Sequence, residues 1–308
     1  MSDRILAAIR SVPWAIMPGY LEAIEAMALR ALDHPAVQAV ADDGHVERHF
    51  EAIAQMGDRV AGTRSAAVRD GVGALPIFGP ILPRAAMLNP SGGGAVALDL
   101  LAADFRALQA DNAIRKILLV VDSPGGVTTD IAQFARLVAQ STKPVVAHVT
   151  GMGCSAAYWI ISQAREISID ATAMVGSIGV MMGGSVQETP DQGGRRDIAI
   201  VSKNAPNKRP DLTTEDGRAV VQGTIDAIED VFIAAIASGR GVTTDEVIAN
   251  FGQGGTLAGA PAVKAGMADR VEADGLDGAI RRLSARNPST RRVAAENHLK
   301  LAQARAGL

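Results

Sequence analysis

The chain has 308 residues, 48% of them hydrophobic, and its 33 acidic and 30 basic side chains leave a net charge of −3. That length allows one large domain with appendages, and the near-balanced charge excludes a protein whose whole surface binds polyanions. A single cysteine, Cys154, excludes an internal disulfide framework and suits a reducing compartment.

The opening stretch M-S-D-R-I-L-A-A-I-R-S-V-P-W-A-I-M-P does not read as a secretory signal, because Arg10, Pro13 and Pro18 interrupt its apolar run and Asp3 stands where basic residues belong. No run of 18 or more residues is free of charges and breakers, so neither a membrane span nor a location outside the cytoplasm is expected. Residues 1 to about 70 read as a helical arm, with Leu21, Ile24, Met27, Ala28 and Leu32 at helical spacing on one face. Packing or oligomerisation is its expected role.

From residue 71 the pattern becomes α/β. G-A-L-P-I-F-G-P-I-L predicts a strand edged by prolines. A helix with Leu98, Leu101, Phe105 and Leu108 on one side follows. I-R-K-I-L-L-V-V-D is a continuous apolar run, as expected of a strand buried on both faces. After S-P-G-G come a helix carrying Ile131, Phe134, Ala135 and Val138, the strand K-P-V-V-A-H-V, a helix after Ser155, and the strand E-I-S-I-D. This alternation predicts a mostly parallel sheet with right-handed crossovers. Residues 183–215 read as an exposed loop. T-T-E-D then opens a long helix over about 214–239, and V-T-T-D-E-V-I-A-N-F starts another. Residues 281–308 form a basic tail with seven Lys and Arg against one Glu. It is read as a solvated end, with weak nucleic-acid contact as its alternative. The expected division is therefore 1–70 arm, 71–280 α/β domain and 281–308 tail.

Two strand ends share one design: S-P-G-G at 123–126 and T-G-M-G-C-S at 150–155. In parallel sheets, ligands gather beyond the carboxyl ends of strands, so both turns are expected at one crevice. Glycines permit close backbone approach. Ser155 would stand at a helix N-terminus, where unpaired N–H groups and the helix dipole favour developing negative charge. An ordinary helix cap and a nucleophile are served equally well by this stretch alone. G-C-S-A-A lacks the final glycine of the hydrolase G-x-S-x-G elbow.

A nucleophilic serine needs a base. His148 lies inside a strand and is expected to point into the layers beside the sheet. His45 and His49, in H-V-E-R-H, lack the glutamate directly after the first histidine that a zinc-peptidase helix needs, and they are read as a solvated helix face. His34 and His298 stand alone, so no metal site is expected. A lysine base is left to be considered. Cys154 is read as a packing residue.

S-P-G-G, then G-M-G-C-S-A-A-Y-W, then M-V-G-S-I-G-V resemble the core of the signal peptide peptidase A family of serine peptidases, in order and spacing over roughly residues 71–270. The segment G-T-L-A-G-A-P-A-V-K-A-G-M-A-D-R-V resembles that family's closing stretch. The S-V-P-W-A-I-M-P arm resembles the phage and prophage branch, whose members process capsid or scaffold proteins. The resemblance implies a ClpP/crotonase-like fold and a Ser–Lys dyad. The nucleophile falls on Ser155 and the base on Lys208 in N-K-R-P-D-L, with Lys203 in reserve. The serine that orients the lysine falls on Ser177. The oxyanion donors would be the amide of Gly126, or of Gly125, together with that of Ala156. Positions 156 and 157 are usually glycine in the family and are alanine here. No cofactor is implied.

A lysine acts as a base only where a water-poor setting lets it shed its proton. The polar chain around Lys208 offers little cover, and in related single-domain members the dyad forms between subunits of a ring. A homo-oligomeric ring with a shared dyad is therefore expected, acting on phage capsid or scaffold proteins or on membrane-derived peptides. Met181 and Met182 are candidate walls. Two alternatives stand beside this reading. One is a crotonase-type hydratase or isomerase, for which no positioned acid is visible. The other is a non-catalytic assembly protein on a degenerate peptidase fold.

Overall fold

The computed structural model describes residues 2–33, 53–84, 95–183 and 201–285. His34, the H-V-E-R-H segment, His298, residues 184–200 of the expected loop and 286–308 of the expected tail lie outside them.

The core is a parallel array with antiparallel edges. Strands β4 (Val72–Phe78), β7 (Lys116–Ser123) and β9 (Val145–Cys154) lie side by side and parallel. The apolar run Ile117–Val121 is wholly buried, as its composition requires of a strand covered on both faces. Pro76 sits within β4, beyond the three residues that pair with β3 (Ala67–Arg69), so its missing N–H breaks no ladder on that edge. Strand β2 (Asp58–Arg59) pairs with β3, so the sheet begins before residue 71. The stretch expected to be helical throughout is thus interrupted, here and at a short strand β1 (Trp14–Ile16) between helices α1 (Ser2–Arg10) and α2 (Pro18–Asp33). Pro13 explains the break, since it has no N–H to continue the ladder of α1.

Strand β9 forks. Its first half, Val146–Val149, pairs in parallel with β10 (Glu166–Ile169), which continues to β13 (Arg270–Val271). Its last residues, Met152–Cys154, pair in parallel with β11 (Met174–Gly176), which continues to the antiparallel β12 (Thr256–Ala258). A register shift between Val121 and Ser123 marks the bend. Asp122 holds it, its carboxylate accepting from the Met152 amide at 2.9 Å and filling the space where a Cβ on Gly151 would stand. A second, smaller sheet runs β1, β8 (Gly125–Val127), β5 (Ile81–Leu82), β6 (Val96–Ala97).

Helices cover both faces. Helix α3 (Leu98–Ala110) buries Leu98, Leu101, Phe105 and Leu108, and α4 (Ile131–Ala139) buries Ile131, Phe134, Ala135 and Val138, as their spacing predicts. Phe105 meets Phe134 edge-on at 5.8 Å. Helix α5 (Ala156–Ile161) is buried along its whole length, and Trp159 stacks on Phe232 of α6 (Glu215–Arg240) at 4.5 Å. Thr214 caps α6 by accepting from the Gly217 amide, and Thr243 with Glu246 forms a capping box on α7 (Thr244–Asn250). After α8 (Gly259–Lys264), helix α9 (Gly275–Ser284) reaches past the expected tail boundary, and two of the tail's arginines are structural: Arg281 pairs with Asp274, and Arg282 with Glu166 and Glu272. Among the described residues no helix is long and apolar enough to cross a membrane.

Beneath α9 the fully buried His148 lies between Ser168, whose Oγ is 3.0 Å from Nδ1, and Asp170, whose Oδ1 is 3.2 Å from Nε2. Burial lowers the histidine's pKa; Asp170 and Glu272 oppose that shift and Arg282 adds to it. The folded protein therefore resists a proton that the unfolded chain accepts near pH 6.5. Stability is retained above that pH and lost as pH falls below it, at no more than about 1.4 kcal/mol per pH unit for one proton. The urea midpoint of the wild type should accordingly fall more steeply from pH 7 to pH 5 than that of His148→Gln. Equal slopes would remove His148 as the source.

Candidate active site

Ser155 stands at the junction of β9 and α5. Its backbone has φ 55° and ψ −120°, outside the regions that a side chain normally allows. Such a conformation costs on the order of 1–3 kcal/mol and persists only where the surroundings enforce it. Here the Ser155 amide donates to the Gly176 carbonyl at 2.7 Å, and one residue on, the Ser177 amide donates to the Gly255 carbonyl at 2.7 Å. Ser177 also has positive φ, at 51°. The ends of β9 and β11 thus present two strained serines from neighbouring strands.

The side chain of Ser155 separates the two readings that the sequence left level. It occupies the cap position of α5 yet makes no capping hydrogen bond. Its hydroxyl is buried and has no hydrogen-bonding partner among the described residues. An unpaired buried hydroxyl costs about 1–3 kcal/mol. A residue retained only as a cap would form the cap.

The S-P-G-G turn reaches the same place. Gly125, at φ 106°, lies against Ser155: a Cβ added to it would stand 2.9 Å from Ser155 Cβ and 2.2 Å from the Ala15 oxygen. A Cβ on Gly126 would stand 2.0 Å from the Ile81 oxygen. Ser123 steadies the turn, its hydroxyl donating to the Gly79 carbonyl at 2.7 Å and accepting from the Gly125 amide at 3.3 Å. Because the Ser155 amide is committed to Gly176, the first amide of α5 able to face a developing oxyanion is that of Ala156, which has no acceptor within its own helix. Ala156 and Ala157 are both fully buried, so their methyl groups pack into the core.

The lysines are placed differently. Lys208 ends a 3-10 turn at Pro206–Lys208, and both it and Lys203 are exposed. Within one chain neither meets the Ser155 hydroxyl. Cys154, beside the serine, is buried, and burial pushes its thiol up to about 12, leaving it protonated and non-nucleophilic. His148 faces Ser168 and Asp170 beneath α9, and its ring makes no hydrogen bond to Ser155. Met181 packs on Trp14 in a small cluster with Ile16 and Val127. Among the described residues no three His, Cys, Asp or Glu side chains converge to hold a metal ion.

A parallel sheet flanked by helices, with a strained serine where a strand meets a buried helix and a glycine turn beside it, defines a ClpP-like mixed α/β domain. Residues 137–287 match the model of peptidase family S49. The matched span includes Ser155, Ser177 and Lys208, while Gly125 and Gly126 precede it. The chain is 28% identical over 213 residues to the capsid assembly protease C of Escherichia phage lambda, covering 68% of this chain and 48% of that protein. It is 26% identical over 279 residues to the head-tail preconnector protein GP5 of Enterobacteria phage P21, covering 87% and 55%. To Protease 4 of Haemophilus influenzae it is 27% identical over 184 residues, covering 56% and 29%. The chain spans about half the length of the two phage proteins.

Steric closure around the glycine turn gives a stability prediction. Gly126→Ala forces a methyl against the Ile81 carbonyl and should cost about 1–3 kcal/mol in urea unfolding. Gly223→Ala, in α6 with nothing within 4 Å, should instead stabilise by about 0.5–1 kcal/mol. A neutral Gly126→Ala would show that the turn is looser than described.

Proposed function

We propose that this protein is a serine endopeptidase with Ser155 as nucleophile and Lys208 as general base. The observation that carries the reading is the Ser155 hydroxyl: buried, uncapped, without a partner among the described residues, and held on a strained backbone beside Gly125 and Ser177. In the proposed cycle, neutral Lys208 takes the hydroxyl proton and Ser155 attacks a peptide carbonyl. Amides of Gly126, or Gly125, and Ala156 hold the oxyanion. The protonated lysine gives its proton to the leaving amine, and water hydrolyses the acyl-enzyme. One such amide donor supplies about 2.7–4 kcal/mol of transition-state stabilisation. Ser177 orients the lysine.

The exposed Lys208 needs a low-water setting, and a neighbouring subunit in a homo-oligomeric ring would supply one, with the lysine of one chain serving the serine of the next. The phage relatives favour capsid or scaffold proteins as substrates and a cytoplasmic or prohead setting. An N-terminal arm and a C-terminal tail are proposed around the peptidase domain, with the β2–β3 edge and helix α9 belonging to that domain.

Casein or peptide cleavage tests this. Ser155→Ala and Lys208→Ala should each lower turnover by about three orders of magnitude or more, while Lys203→Ala should not. Mixed oligomers of the two inactive chains should recover activity through sites that draw an intact serine and an intact lysine from different chains. Cleavage that survives Ser155→Ala would overturn the site, and mixed assemblies without recovery would overturn the shared dyad.

A further inference from the structure

One strand that lies against Ser155 belongs to the smaller sheet and not to the large one. Strand β1 runs antiparallel to β8, pairing Trp14 with Val127, Ala15 with Gly126 and Ile16 with Gly125. The other edge of β8 is taken by β5. The ladder's outer bonds fix its phase: the Met17 amide donates to the Pro124 carbonyl at 3.0 Å, and the Thr128 amide donates to the Pro13 carbonyl at 3.2 Å. In an antiparallel ladder, hydrogen-bonded pairs alternate with non-bonded ones. The pair midway between these two, Ala15 with Gly126, is therefore a bonded one. Its two bonds join the Gly126 amide to the Ala15 carbonyl and the Ala15 amide to the Gly126 carbonyl. Trp14 faces the opposite edge, exchanging both of its bonds with Met181 at 2.8 and 2.9 Å, as the same alternation requires.

Two consequences follow for Ser155. The Ala15 oxygen and the Ser155 Cβ lie 2.2 Å and 2.9 Å from one point, the place of a Cβ on Gly125, and Ile16 Cα is 3.0 Å from it. The peptide bond joining Ala15 to Ile16 therefore lies against the nucleophile proposed above. In addition, the Gly126 amide, one of the two proposed oxyanion donors, is already engaged by a carbonyl of the chain itself. An extended peptide held between β8 and Met181 would make these same bonds, so β1 stands where such a peptide would lie.

The segment is also held in a way that permits release. Trp14, Ile16 and Val127 form a small cluster with Ile9, Leu21, Ile24, Leu82 and Met181, separate from the main core. The helices on either side of β1 are tied to each other by the Arg10–Glu25 ion pair at 2.6 Å, and α1 is anchored by the Trp14 indole donating to the Ile9 carbonyl at 2.7 Å. A unit with its own small apolar cluster can open locally without unfolding the sheet. Ala15 alone of the three strand residues belongs to the main core.

We propose that Trp14–Ile16 is an autoinhibitory strand: it fills the Ser155 cleft, occupies the Gly126 donor, and must leave before a polypeptide can be cut. The proposal rests on the peptidase reading of Ser155, and its test separates the two. Ser155→Cys places a thiol at the cleft, while Cys154, the one native cysteine, serves as the silent control in the wild type. The rate of alkylation of the introduced thiol by iodoacetamide is then compared with the arm intact and with Ala15→Pro, which removes the amide bonded to Gly126. The milder Trp14→Ala keeps the ladder and removes the indole's apolar contacts and its bond to Ile9, so it carries the test should Ala15→Pro lose its cooperative thermal transition. Alkylation about tenfold faster or more in a folded arm variant supports the proposal; an unchanged rate in the folded variants overturns it. The same arm substitutions on the Ser155 chain should raise peptide cleavage. Faster alkylation without any cleavage would overturn the peptidase reading and leave the occluding strand standing.

Discussion

One hydrogen bond organises the site: the amide of Ser155 donating to the carbonyl of Gly176 at 2.7 Å. Without it, β9 would run into α5 with no reason for Ser155 to take a positive φ. With it, the end of β9 is tied to the end of β11, and the chain must turn at that residue. The fork in β9 makes the bond available. Because β10 leaves after Val149, the last residues of β9 are free to pair with a different strand, and Asp122 bends them toward it through the Met152 amide. The position of one serine is thus set by the divergence of two sheet layers.

The surroundings hold that strain in place by packing. Tyr158 donates to the Met267 carbonyl at 3.0 Å, Trp159 stacks on Phe232, and Ala156 and Ala157 admit the helix close against the strands. A six-residue helix is too short to be stable alone. Its stability comes from having every side chain buried, which also fixes the axis along which its amides point. Alanine at 156 and 157 fits this role, since a buried methyl adds contact and leaves the amide donor unaltered.

Much of this was legible in the sequence. Periodicity located the helices at Leu98–Ala110 and Ile131–Ala139, and capping chemistry located the starts of those at Glu215 and Thr244. The paired glycine-rich turns announced that two strand ends meet at Ser155. Other features left no local signal. Strand β1 has three residues, too few for an alternation to register, and its partner lies more than a hundred positions away, so an arm flanked by helical patterns read as helix throughout. The role of Asp122 depends on a bulge that only the register reveals. His148 was placed inside the layers by its strand position, yet its partners Ser168 and Asp170 come from a parallel neighbour that sequence spacing does not identify. Ser168, His148 and Asp170 form a serine–histidine–aspartate arrangement, but Ser168 and His148 are fully buried in the sheet, away from the glycine turns, so chemical type alone would have misplaced the site.

Geometry also explains why a single chain should be silent on the proposed reading. Hydrolysis by a serine needs a base at the hydroxyl and a free donor for the oxyanion. The described chain offers the hydroxyl no partner, and the ladder phase commits the Gly126 amide to Ala15. These two conditions are met by different parts of the molecule, the lysines on an exposed loop and the strand on an arm with its own small core. Either could be relieved without the other. The demands on them differ as well: supplying the base needs desolvation of an exposed cation, which surface from another subunit can provide, whereas freeing the donor needs an extended segment to be exchanged for another of the same hydrogen-bonding pattern. An incoming polypeptide satisfies that second demand directly, since each bond lost by Trp14 and Ala15 can be remade by its own backbone. The net cost of displacement then falls mainly on the apolar contacts of Trp14 and Ile16, and a competing segment that brings comparable apolar side chains to Val127, Leu82 and Met181 would meet the least resistance.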